Sequence, residues 1–119
     1  MTISDEAYEA FDYIINTRTT YEMLREALGL LERRAKRNGL TPQEELRTGA
    51  YDLRGPRRWY TIVCQTLFKA REDYYKFFAE EAEENCPDWV DTSTPGGVTG
   101  PLANQVLAVA LEHRYHWST

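Results

Sequence analysis

The chain has 119 residues, 42% of them hydrophobic and 28% charged, and carries a net charge of −5. This is one domain's worth of sequence with enough apolar content for a core, which excludes a wholly disordered chain. The acidic balance argues against direct binding to nucleic-acid phosphates, no apolar run approaches the roughly 20 residues that span a bilayer, and the start MTISDEAYEA is acidic where a leader would be basic; the expectation is a cytoplasmic protein with no membrane association.

Ser4 caps a first predicted helix, with Asp5 and Glu6 in the first turn where the helix dipole favours them. Tyr8, Phe11 and Ile15, with Ala7 and Ile14, form its apolar stripe. Asn16 to Thr19 interrupts the pattern. Thr19 followed by Glu22 has capping-box spacing, so a second helix is expected from there. Met23 or Leu24, then Ala27, Leu28, Leu31 and Ala35, give it a core face, and Arg25, Glu26, Glu32, Arg33 and Lys36 lie opposite. Asn38-Gly39 ends it, because glycine enters the left-handed region without steric cost. Thr41-Pro42-Gln43-Glu44 then combines an N-cap, a first-turn proline and a capping-box glutamate. The short helix that follows uses Leu46, Ala50 and Tyr51 as apolar contacts, and the stretch from Asp52 to Gly55 breaks it.

From Pro56 to Asn85 no interior glycine or proline occurs, so one long helix of about 45 Å is expected. Tyr60, Val63, Leu67, Ala70, Tyr74, Phe77 and Phe78 form one stripe, and Trp59, Ile62, Phe68 and Tyr75 spread apolar surface around the cylinder. Such a helix is central. Residues 86–100, punctuated by Pro87, Pro95, Gly96, Gly97 and Gly100, read as an irregular loop. Pro101 opens a final helix with Leu102, Val106, Leu107, Ala110 and Leu111 on its core face.

The sharpest electrostatic feature is Glu80, Glu81, Glu83, Glu84, Asp88 and Asp91. At the end of a continuous helix these glutamates face the unfavourable pole of the dipole, which suits a surface that meets a basic partner. Water or Arg33, Arg34, Lys36 and Arg37 could equally compensate them. Arg54, Arg57 and Arg58 surround Gly55-Pro56 and are the candidate anion site, where guanidinium forks meet helix N-terminal amides; pairing with Asp52, Glu44 or Glu45 is the plainer alternative. The run Thr94 to Gly100 lacks the Lys-Ser/Thr of a phosphate-binding loop.

His113 and His116 share a helix face, but no third and fourth ligand accompanies them, so no metal and no cofactor is expected. Cys64 and Cys86 would lie about 33 Å apart on one helix and could not pair within it. Cys64 on an aromatic helix face reads as core.

The expectation is an all-α, single-domain bundle of four to five helices over 1–119, built around the 56–85 helix. No catalytic constellation is present, which favours a non-enzymatic interaction module. Its concrete form is a small acidic protein that blocks or bridges a partner with a basic surface, including an inhibitor that occupies a basic nucleic-acid-binding groove. A homodimer completed by the aromatic helix is a sub-case. The competing class is a small enzyme or phosphate-binding domain using Arg54, Arg57 and Arg58.

Overall fold

A computed structural model describes residues 3–49, 58–84, 89–90 and 99–113. The fold is an all-α bundle: α1 (Asp5–Ile15), α2 (Arg18–Arg37), α3 (Pro42–Gly49), α4 (Arg58–Phe77), α5 (Ala79–Glu84) and α6 (Thr99–Glu112), with no strand among the described residues. The molecule measures 47 × 34 × 23 Å along its principal axes. No helix in the described residues is long and apolar enough to cross a membrane.

The helix boundaries follow local chemistry. The Ser4 hydroxyl accepts from the Ala7 amide at the start of α1. Ser4 is itself held from afar, its amide and hydroxyl both donating to the Gln105 side-chain carbonyl on α6 at 2.9 and 2.7 Å. At the other end of α2, the Leu40 amide bonds the Ala35 carbonyl and the Gly39 amide bonds that of Lys36, with Gly39 at φ 71°. This is the Schellman arrangement that glycine makes possible. The Thr41 box closes in both directions: the Glu44 amide donates to the Thr41 hydroxyl at 3.2 Å, and the Thr41 amide to the Glu44 carboxylate at 3.1 Å.

The start of α2 departs from expectation. Thr17, not Thr19, occupies the N-cap and makes no side-chain cap bond. The buried Thr20 hydroxyl instead lies 2.8 Å from the Ile14 carbonyl and 3.0 Å from that of Thr17, so it serves the end of α1. The α1 stripe is also rotated. Ala7, Ala10, Phe11 and Ile14 are buried, whereas Tyr8 and Ile15 are exposed.

The core joins that face of α1 to Leu24, Ala27, Leu28 and Leu31 of α2, Leu46 of α3, Trp59, Val63, Leu67 and Ala70 of α4, and seven residues of α6 from Leu102 to Leu111. Helix α4 is central, packing on α1, α2, α5 and α6. Burying one aliphatic or aromatic side chain is worth about 1.5–3 kcal/mol, so the interior face of α6 is a main source of stability.

The expected single helix over 56–85 is divided. Helix α4 stops at Phe77, Phe78 is non-helical, and α5 begins at Ala79. The Phe78 amide still bonds the Tyr74 carbonyl at 2.8 Å, so the interruption lies just beyond the last regular hydrogen bond of α4. With 20 residues, α4 is about 30 Å long and fits within the domain.

Of the expected loop over 86–100, the structure describes Trp89 and Val90, which form a turn, and Thr99 and Gly100, which already belong to α6. Trp89 and Val90 are core residues, and the buried Arg71 donates from Nε to the Trp89 carbonyl at 2.6 Å. Helix α6 begins at Thr99, two residues before the predicted Pro101. A proline in the first turn is tolerated because its missing N–H would have no intrahelical partner.

Candidate functional site

The C-terminal turns of α1 and α4 come together to form an open groove of about 500 Å³. Helix α1 contributes Glu9, Asp12 and Tyr13, followed by its C-cap Asn16 and Thr17. Helix α4 contributes Tyr74 and Phe77, continued by Phe78, and Trp89 completes the wall. Positions 9, 12, 13 and 16 share one helix face, as do 74, 77 and 78, because side chains three and four apart are stacked along a helix.

The aromatic rings pack on one another. Tyr13 lies 5.7 Å from Tyr74, 5.4 Å from Trp89 and 6.5 Å from Phe78, measured between ring centroids. Tyr74 adds contacts to Phe78 at 5.1 Å and Trp89 at 5.7 Å. Trp89 is buried and held by Arg71, whereas Phe77 is 68% exposed and Phe78 41%. The groove thus has a fixed floor and an exposed apolar lip. Burial, and after it the negative charge of Asp73, raises the Tyr13 phenol above its ordinary value of 10.0.

The charge at this end of the bundle is predominantly negative. Glu9 and Asp12 are exposed and, among the described residues, are the charged groups in the groove lining. Asp73 is paired with Lys69 at 3.4 Å, and Lys76 Nζ sits 5.6 Å from the Phe77 ring centroid. Glu80, Glu83 and Glu84 on the adjoining α5 are exposed. Among the described residues no cation lies within ion-pair distance of these three. Helix α5 packs mainly on α4. Arg34, one of the cations that could have compensated them, pairs instead with Glu45 at 2.9 Å.

The break at Phe78 changes the electrostatic meaning of the glutamates. Glu80 and Glu81 stand in the first turn of α5, where the dipole favours acids, while Glu83 and Glu84 stand at its end. The chain places Lys76 in the last turn of α4, the favoured sign for that position. Dipole repulsion therefore applies to half the glutamates originally assigned to it. The exposure of Glu80, Glu83 and Glu84 is what remains.

Of the other sequence-predicted site residues, Asp88 and Asp91 lie outside the described residues, as do Arg54 and Arg57 of the anion-site candidate. Arg58 is exposed at the first position of α4. His113 stacks on Phe11 at 5.7 Å, and His116 lies outside the described residues. No group of three or more His, Cys, Asp or Glu among the described residues could hold a metal. Cys64 is half-buried against the core, and Cys86 is outside the described residues.

Sequence reasoning missed Glu9, Asp12, Tyr13 and Trp89. The first three carried a usable signal, an acidic and aromatic face at i, i+3 and i+4 spacing on one helix. Trp89 and Val90 form an apolar pair between Asp88 and Asp91, a usable signal that the loop reaches back into the core at that point.

No protein-family model, no curated protein and no solved structure matches the chain.

Proposed function

We propose that this protein is an interaction module that binds a partner protein through the acidic and aromatic end of its bundle. The observation that carries the reading is the exposure of Glu80, Glu83 and Glu84, with no described cation paired to them, beside the exposed rings of Phe77 and Phe78. Exposed aromatics next to like charges favour a complementary basic surface: the charges steer encounter and the rings supply apolar area once water is expelled. A partner whose basic surface normally contacts nucleic acid fits the same chemistry, with the α5 carboxylates taking the place of phosphates.

The test is capture by the immobilised full-length protein. Retention of the partner should be lost when Glu80, Glu81, Glu83 and Glu84 are reversed to lysine, and should weaken steeply with salt. Capture that survives the reversal unchanged removes this reading.

A further inference from the structure

We propose that the groove between the ends of α1 and α4 seats an arginine side chain of the partner protein. The inference rests on the interaction reading above and adds the chemistry of one contact. Three observations converge on it.

The first is electrostatic. Both helices that frame the groove present their C-terminal ends to it, α1 ending at Ile15 and α4 at Phe77. The C-terminal poles of these two helices are offset by the N-terminal ends of α2, capped at Thr17, and of α5, starting at Ala79, so the negative charge of the groove comes from the carboxylates of Glu9 and Asp12. Among the described residues no cationic side chain lines the groove.

The second is the aromatic wall. Tyr13, Tyr74, Phe78 and Trp89 lie within 5.1–6.5 Å of one another in the contacting pairs, and Phe77 extends the wall outward. Ring faces attract cations, and Lys76 over Phe77 is an example within this molecule. Lys76 is also the groove's nearest competitor, because it covers one face of that ring.

The third is shape. An enclosed cage would favour a rounded ammonium, but this groove is open, with Phe77 68% exposed at its lip. A planar guanidinium can lie flat on a ring while its fork reaches a carboxylate, which an ammonium cannot do. The spacing of Glu9 and Asp12 along one face of α1 places two acceptors beside the wall.

The experiment measures binding of the full chain to two peptides by calorimetry: one in which arginine alternates with glycine over nine residues, and its lysine counterpart. The arginine peptide should bind about tenfold more tightly. Glu9→Gln combined with Asp12→Asn, two exposed and nearly isosteric changes that keep the fold, should weaken the arginine peptide by a similar factor. Phe78→Leu should reduce the arginine preference, with circular dichroism reporting helicity.

Equal affinity for both peptides overturns the proposal, as does arginine-peptide affinity unaffected by the Glu9 and Asp12 changes. The triple reversal Glu80→Lys, Glu83→Lys and Glu84→Lys separates the two readings. Arginine-peptide binding that depends on α5 alone eliminates the groove contact and leaves the interaction surface standing. Binding that depends on the groove and ignores α5 supports the arginine seat and sets aside the α5 surface.

Discussion

Glu45 and the glutamates of α5 have the same functional group in opposite settings. Glu45 is 2% exposed and accepts from Arg34 Nε at 2.9 Å and Asn38 Nδ2 at 3.2 Å, locking α3 onto the end of α2. Glu80, Glu83 and Glu84 stand in water on a six-residue helix. A buried carboxylate must be paired or it destabilises the fold, whereas an exposed one is free to be used by something else. The contrast separates acids that maintain the structure from acids available to a partner.

The most direct way to test that division is Glu45→Ala. It removes the buried carboxylate that accepts from both Arg34 and Asn38, and chemical denaturation should show a loss of about 3 kcal/mol. A loss below 0.5 kcal/mol, roughly the size typical of surface substitutions, would erase the distinction.

Arg71→Ala comes next. It removes the donor to the Trp89 carbonyl and leaves that acceptor buried, at a cost of about 2 kcal/mol. If Trp89 is the floor of the groove, its fluorescence should shift with the loss of stability. An unchanged emission spectrum would place Trp89 elsewhere.

A third test uses pH at α3. Hydrogen bonds from Thr41 hold the Glu44 carboxyl below its ordinary value of 4.5. A depressed folded-state pKa means the stabilisation is present above the unfolded value and is lost as pH falls through the folded one. Wild-type stability should therefore decline relative to Glu44→Gln below about pH 4.5, since glutamine still completes the box. Parallel acid-unfolding curves would show that the box contributes nothing electrostatic.

The smallest effect distinguishes a divided helix from a continuous one. With α5 starting at Ala79, Glu80→Lys places a cation at a helix start and should lower Tm, while Glu84→Lys places one at a helix end and should raise it, each by about 1–4 °C. A continuous helix would give increases for both.

Capping chemistry was readable from the sequence where it is local. Ser4, Gly39 and the Thr41–Glu44 box each act within a few residues and were legible from spacing, whereas the same spacing at Thr19–Glu22 misplaced the cap of α2, which is Thr17. The core faces of α2 and α6 were equally legible, because an apolar stripe reports burial whichever neighbour covers it. The interruption at Phe78 left no such mark. Helix breaks usually coincide with proline, glycine or a bulge, and here the flanking sequence Phe77-Phe78-Ala79 has neither proline nor glycine. Its ring packs on Tyr74 and on Tyr13 from another helix, a contact 65 positions away that no local window contains. The same limitation hid the groove: Glu9 and Asp12 become meaningful only when α4 ends beside them. The role of Arg71 could not be read from the sequence, because its partner is a backbone carbonyl, which has no sequence signature.

The bond from Ser4 to Gln105 has a consequence in time. The two residues are 101 positions apart, and at roughly 5–20 residues per second a ribosome needs about 5–20 s to make the second after the first. Through that interval the start of α1 lacks its distant acceptor, and Ala7, Ala10, Phe11 and Ile14 lack the α6 surface that helps to cover them. Helix α1 is thus completed only after α6 has been made, and a nascent chain halted before α6 would present an apolar stripe to whatever waits at the tunnel exit.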